Sequence, residues 1–413
     1  KVVRANYSGD TGMHIAKWIW CYSKYHSKES LRDDEKWIAD IYVEAVSKLD
    51  GKEEYQKEVE DINRKIEDKS DLKINSLWKK TREASINSWK RIYNELGTYF
   101  DKHYFESEFE SDGKMVSEEL LKKKVAKKDD AIFVDLKKYD LGTWVLLRRD
   151  GTVLYSAKDL ALAMKKVKDF SCDNYLVAIG EEQRMHFLQL QKTLELMKFE
   201  KAKNYSFLTF GMVRFPDGKM SSRTGKNILY SEFSSEVRKI AKKGLKRRGY
   251  VGKDIEEKAL TIAIAAIKYS MLKQDSKKTL VFDPKEALSF EGDTGPYLLY
   301  SYARANSIIE KVKEKRRAFP KSVLPDDFKD SEIRLLKKIS EFPAIVFRAY
   351  DFLTPHIIAN YSFELAKIFN EFYHDSPVLG SSAEGFRLEL VSRFKDTLKK
   401  SLGLLGIETL ERM

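Results

Sequence analysis

The residues best suited to chemistry lie near the middle of the chain, where residues 215–225 read FPDGKMSSRTG. Glycine and paired serines make this run a flexible loop, and Lys219 and Arg223 make it cationic. Such a loop can close on a triphosphate. Its cations suit the charge that grows as pyrophosphate departs, while Ser221, Ser222 and backbone N–H groups donate to phosphoryl oxygens. Composition alone also allows a solvated basic loop. Its position directly after an apolar strand-like run, residues 206–213, favours the ligand-binding reading.

Three further groups stand around this loop in the sequence. Tyr155 and Asp159 are one helical turn apart, so both can face one pocket, where a carboxylate accepts the two-pronged hydrogen bond of a guanidinium and a phenol supplies an apolar wall. The alternative is a helix start with Asp159 merely exposed. Residues 177–183, VAIGEEQ, end an apolar run in a polar turn, the position at which open α/β sheets bind ligands, and Gln183 is placed there as a contact. Further on, Tyr297, Tyr300 and Arg304 share a helical face after the turn Gly292-Asp293-Thr294-Gly295-Pro296, giving an aromatic and basic stripe suited to unpaired bases and phosphate. Each tyrosine taken singly could equally be a core residue.

The elements that must hold these groups alternate in type. Residues 155–165 read as a helix, 175–180 as a buried strand, 185–197 as a helix and 206–213 as a strand, the alternation of an α/β unit with a parallel sheet. Ahead of it, residues 1–6 form a short strand-like run and a turn at residues 8–12 launches a helix through Ile15, Trp18 and Ile19. Residues 33–100 then show helical periodicity, and residues 131–153 read as a small sheet with an Asp150-Gly151 hairpin signal. Beyond Tyr230 the pattern is helical almost to the end, apart from a linker-like stretch at 311–325. The expected fold is therefore α/β plus all-α.

With 413 residues the chain is expected to form two or three folded units. Its formal charge of +12, from 76 Lys+Arg against 64 Asp+Glu, favours polyanionic partners, and nucleic acid leads among them. Cys21 and Cys172 are the two cysteines, without a Cys-x-x-Cys pair, and the six histidines include no pair at helical metal-site spacing, so no protein-bound structural metal is expected. A reducing compartment, the cytoplasm, fits that usage. Apolar runs such as residues 262–267 are too short to cross a bilayer.

The loop resembles the Lys-Met-Ser-Lys-Ser loop of class I aminoacyl-tRNA synthetases, and Lys219, Met220, Ser221, Ser222 and Arg223 are similar to its arginyl version. Ser222 stands where the general motif has its second lysine. The resemblance implies catalysis by Lys219, Ser221, Ser222 and Arg223, arginine binding by Tyr155, Asp159 and Gln183, and ATP binding by His186, Gly211, Met212, Val213, Lys219 and Met220. Residues 210–213, FGMV, resemble the strand whose backbone bonds adenine. The run LSFEGDTGPYLLYSYAR at 288–304 and the C-terminal segments NEFYHD at 370–375 and LERM at 410–413 look like the same family. They imply tRNA contacts by Tyr297, Tyr300, Arg304, Tyr373 and Met413.

The resemblance implies a partial Rossmann-like nucleotide-binding domain with a helical insertion, followed by a helical anticodon-binding bundle. The expected divisions are 1–30 as a remnant of the first half of the nucleotide-binding domain and 31–153 as a mainly helical insertion with a small sheet. The second half with the loop follows at 154–230, and a helical stem-contact and anticodon-binding region at 231–413. Residues 2–12 resemble the segment that follows the family's His-Ile-Gly-His helix, and nothing like that helix precedes them, so the chain is expected to begin partway into its catalytic domain and not to adenylate by itself. His14 is expected to be structural. The implied partners are L-arginine, tRNA(Arg), ATP with Mg2+ and a separate N-terminal portion of the same protein. A monomer is expected, with no membrane. A non-catalytic tRNA-binding scaffold is the alternative, and a class I enzyme for another amino acid such as cysteine is disfavoured by the missing zinc ligands and by Asp159.

Overall fold

The computed structural model describes residues 1–216, 229–314 and 321–413. These divide into two compact units, one holding Lys1–Phe210 and the other holding Tyr230–Met413 together with the segment that starts at Gly211.

In the first unit, β1 (Ala5–Ser8) leads into α1 (Met13–Tyr25), α2 (Glu35–Leu49), α3 (Glu53–Glu67) and α4 (Leu72–Glu95), and only then meets its parallel partner β2 (Lys102–Phe105). Parallel strands need a crossover, and here four helices supply it. Asp34 caps α2 through the Trp37 N–H, and Asp71 caps α4 through the N–H groups of Lys73 and Ile74. Short polar side chains satisfy the free amides of a first turn, which is why these helices start there. The indoles of Trp18, Trp20 and Trp78 build the core of this bundle with Ile19, Ile41 and Ile66. The expected strand at 1–6 is displaced to Ala5–Ser8, since Arg4 contributes its carbonyl to the N–H groups of Asp101 and Lys102 while preceding the ladder itself.

Next come α5 (Glu110–Lys122) and an antiparallel sheet of β3 (Ala126–Lys128), β4 (Ile132–Asp135) and β5 (Thr143–Leu147), followed by α6 (Tyr155–Asp169). A bridge between Leu147 and Val153 closes the expected Asp150-Gly151 hairpin. Then β6 (Tyr175–Gly180), α7 (Arg184–Leu196) and β7 (Tyr205–Phe210) form a βαβ step, with Tyr175 to Gly180 paired in parallel register to Tyr205 to Phe210. One core joins these parts, with Leu146, Leu160, Leu190 and Leu194 almost inaccessible to solvent.

The single strand expected at 206–213 is split. Backbone pairing of β7 stops at Phe210, the Gly211 N–H turns to the Ser276 carbonyl at 2.7 Å, and Val213–Arg214 becomes β8, parallel to β9 (Leu280–Val281). The turn works because Gly211 has no Cβ. One placed there would lie 2.5 Å from the Lys278 carbonyl oxygen.

The second unit is otherwise helical: α8 (Tyr230–Arg247), α9 (Ile255–Leu272), the short α10 (Pro284–Ala287) and α11 (Gly295–Glu314), then α12 (Asp330–Ser340), α13 (Phe342–Asp351), α14 (His356–Asp375) and α15 (Glu384–Leu404). Its core runs from Ile262 and Leu298 to Phe369 and Phe394, two rings stacked 3.7 Å apart. Inside it, Glu332 is fully buried and pairs with Arg387 at 2.7 Å, which neutralises a charge that burial alone would not tolerate. Among the described residues no helix is long and apolar enough to cross a membrane.

Candidate functional site

Tyr155 is the first residue of α6, and Asp159 follows one turn later. The Ser156 hydroxyl bonds the Val145 carbonyl, tying the start of α6 to β5. Opposite, α7 brings His186 against both: its Nε2 lies 2.7 Å from Asp159 Oδ2, and its ring centre lies 4.9 Å from that of Tyr155. The Asp159 and His186 side chains keep only 15% and 13% of their accessible surface, while Tyr155 is exposed. Trp144, buried on β5, donates its indole N–H to His186 Nδ1 at 3.2 Å.

A carboxylate this enclosed ordinarily has a cation beside it. Apart from His186, no ion-pair partner faces Asp159 among the described residues. The half-buried Lys166, three turns along α6 from Tyr155, feels its field, but burial pushes that ammonium below its ordinary range and the pull of Asp159 only partly offsets this. The Tyr7 hydroxyl is buried with no hydrogen-bond partner among the described residues, and burial raises its pKa with the charges of Asp159, Glu106 and Asp10 adding to the effect. Asp159 is therefore a part-buried acid flanked by aromatic rings, with Tyr155 exposed to solvent beside it.

Gln183 sits in the turn between β6 and α7, three residues before His186, and its Oε1 accepts the Gly180 N–H at 3.3 Å. This holds the side chain at the carboxyl end of the strand. His186, expected from family likeness beside the nucleotide, is seated on Asp159 in this structure. Neither Trp144 nor Tyr7 stood out in the sequence, because an indole in a strand and a tyrosine in a strand normally read as core.

In the second unit Gly211, Met212 and Val213 follow the strand break: the Met212 carbonyl accepts the Leu280 N–H at 2.9 Å, and its side chain is exposed. Lys219, Met220, Ser221, Ser222 and Arg223 lie outside the described residues.

The turn at residues 292–296 explains itself physically. Asp293 accepts from the hydroxyl of Tyr269 on α9 and, through its backbone carbonyl, from Nζ of Lys273, the residue after α9, at 2.9 Å. Thr294 caps α11 through the Tyr297 N–H at 3.3 Å. Gly295 lets α11 touch α9, since a Cβ there would stand 2.3 Å from the Ala265 carbonyl oxygen. Along α11, the Arg304 guanidinium is 4.7 Å from the Tyr300 ring and 4.9 Å from the Tyr373 ring, the geometry of cation–π contact. Asn370 on α14 organises the group: its Oδ1 accepts from Arg304 at 2.5 Å, and its Nδ2 donates to the Tyr297 hydroxyl at 2.8 Å and to the Ser301 hydroxyl at 2.9 Å. Its sequence signals were a polar residue among the apolar positions of α14 and its place at the start of the family-like run at 370–375. The C-terminal segment is pinned to α11 by Tyr302, whose hydroxyl meets Glu411 Oε1 at 3.1 Å, and by Asn306, which bonds the Glu411 carbonyl at 3.1 Å. Met413 thereby packs on the same core. Thus Tyr297, Tyr300, Arg304 and Tyr373 are brought together.

Two other features resemble sites and are otherwise accounted for. A cavity of about 410 Å3 is lined by Trp18, Trp37, Trp78 and Trp89, with the exposed His14 at its margin, but Asp10, its buried acid, is already taken by Arg82 at 2.7 Å and by the Ser107 hydroxyl at 2.7 Å. Cys21, His26 and Glu44 place ligating atoms within 4.8 Å of one another. His26, however, already spends Nδ1 on Glu29 at 2.6 Å and Nε2 on Glu44 at 2.9 Å, and these two carboxylates raise its pKa.

These parts, a βαβ unit with a part-buried aspartate beside it and a helical bundle with a cationic tyrosine stripe, are those of a class I aminoacyl-tRNA synthetase. The family described as tRNA synthetases class I (R), catalytic domain, matches residues 1–284, and the DALR anticodon binding domain matches residues 298–413. An arginine–tRNA ligase of Clostridium perfringens is 33% identical over all of this chain and 73% of its own length, and one of Bdellovibrio bacteriovorus is 35% identical with the same coverage. Among solved structures, the arginyl-tRNA synthetase of Thermus thermophilus shares the fold at a TM-score of 0.84 and 24% identity, covering all of this chain and 76% of that one. The chain belongs to the arginyl-tRNA synthetase family.

Proposed function

We propose that this chain carries the arginine-selecting and tRNA-reading parts of an enzyme that attaches L-arginine to tRNA(Arg) at the expense of ATP. In that reaction the arginine carboxylate attacks the α-phosphorus of Mg2+-bound ATP and pyrophosphate leaves. A terminal ribose hydroxyl of tRNA then attacks the carbonyl of the arginyl-adenylate and releases AMP. Asp159 accepts the guanidinium, Tyr155 walls it and Gln183 orients the amino-acid end. The adenine lies along Gly211, Met212 and Val213. Lys219, Met220, Ser221, Ser222 and Arg223 hold the phosphates, with Arg223 supplying charge where Ser222 cannot. Tyr297, Tyr300, Arg304, Tyr373 and Met413 take the anticodon loop by stacking and phosphate neutralisation. We further propose a cytoplasmic monomer.

The observation that carries this reading is Asp159: a nearly buried carboxylate with aromatic neighbours and, among the described residues, no lysine or arginine paired to it. Calorimetric titration of the chain with arginine and with citrulline, its neutral isostere, tests it. Arginine is expected to bind at least about tenfold tighter, a charge-assisted hydrogen bond's share. Equal binding of the two would remove the basis for the proposal.

A further inference from the structure

We propose that Trp144 is a positioning residue for arginine, its indole N–H setting the tautomer of His186 and, through it, the plane of the Asp159 carboxylate. The inference rests on the reading of Asp159 as the guanidinium acceptor.

Trp144 is 4% exposed, and a buried indole N–H usually takes its acceptor from the protein. That acceptor is His186 Nδ1, at 3.2 Å. A ring nitrogen can accept only through a free lone pair, which puts the proton on Nε2. Nε2 in turn faces Asp159 Oδ2 at 2.7 Å and donates to it. The other tautomer would set N–H against N–H at the indole and lone pair against lone pair at the carboxylate. A doubly protonated ring would meet the same clash at Trp144, and it would cancel the charge that a guanidinium needs.

The carboxylate end of an aspartate rotates in a broad, two-fold well. One fixed hydrogen bond on Oδ2 selects a single plane and leaves Oδ1 without a protein partner among the described residues. A planar guanidinium binds both oxygens at once only when that plane is right. The relay is itself braced. Trp144 pairs with Val134 across the antiparallel sheet, the next residue of β5 is tied to α6 by Ser156, and the rings of Tyr155 and Phe187 lie 4.9 and 5.1 Å from the imidazole centre.

The first test is a side-chain 15N spectrum of the histidine-labelled chain, with His186 assigned by its loss in His186→Gln. The expected pattern is a protonated Nε2 and a bare, hydrogen-bonded Nδ1. The second is Trp144→Phe, which keeps the apolar ring and removes the donor. It should mix the two tautomers and weaken arginine binding about tenfold. Glutamine at 186 brings its own amide N–H to Asp159 and needs no tautomer, so Trp144→Phe should cost little further affinity in the His186→Gln background. A role in packing alone would give the same loss in both backgrounds and an unchanged nitrogen pattern.

A parent spectrum with the proton on Nδ1, or on both nitrogens, overturns the inference whether or not the variants fold. So does a folded Trp144→Phe chain with unchanged spectrum and affinity. Arginine bound no better than citrulline beside the expected tautomer would instead overturn the arginine reading of the pocket. The wrong tautomer beside selective arginine binding overturns this inference alone.

Discussion

Asp159 in the first unit and Arg304 in the second are the same device with opposite sign. Each is a single charge set among aromatic rings and neutral hydrogen-bonding groups: Asp159 beside His186 and Tyr155, Arg304 beside Asn370, Tyr300 and Tyr373. No carboxylate pairs with Arg304 among the described residues, just as no lysine or arginine pairs with Asp159. The two differ in the ligand they suit. Both are partly buried beside an exposed tyrosine, Tyr155 and Tyr373. Asp159 suits one planar guanidinium held by geometry, whereas Arg304 as a phosphate contact would share in the counterion release that makes polyanion binding depend on salt.

Removing the charge of Asp159 should have the largest effect. Asp159→Asn is expected to lower arginine affinity about 100-fold, measured by titration, because the polar pocket remains and its charge is gone. Retained affinity would place the guanidinium elsewhere.

Gly295→Val attacks the scaffold of Arg304. Its branched side chain has no room against the Ala265 carbonyl, so α11 must move off α9, and denaturant unfolding should show a loss of about 2 to 3 kcal/mol. A neutral result would mean that the helices separate freely.

Arg304→Ala sharpens the contrast itself. tRNA affinity should fall several-fold and the slope of log affinity against log salt should shrink by about 1. Arginine binding at Asp159 should vary far less with salt.

The smallest effect belongs to a charge that is already paired. The His26 pKa is raised by Glu29 and Glu44, and that of Glu29 is lowered by the same contact. The histidine's contribution to stability is therefore complete below its unfolded value of about 6.5, and it fades as pH rises through the higher folded value. The parent should melt slightly above His26→Gln at pH 6, and the gap should close by pH 9.

Elements were legible in the sequence where one periodicity ran unbroken. Residues 155–165, 175–180 and 185–197 come within a few residues of α6, β6 and α7, because each is a single amphipathic or buried run. The split at Gly211 was not legible, since strand-forming residues continue through Val213 and the change of partner depends on Ser276 and Lys278, distant in sequence. Tyr155 with Asp159, and Tyr300 with Arg304, could be paired from helical spacing alone. Trp144 could not be joined to His186, nor Asn370 to Arg304, because those pairs span separate elements and their residue types are ordinary for a strand or a helix.

The pairing of β1 with β2 bears on how the first unit comes into being. Arg4 and Asp101, whose hydrogen bond adjoins that ladder, are 97 residues apart along the chain. During synthesis β1 emerges long before its partner exists, while α1 to α4, built from local contacts, can already assemble. β1 cannot pair with β2 until those helices have shortened the path between the two strands. Closure of this ladder should therefore come late in folding, after the tryptophan-rich bundle has formed.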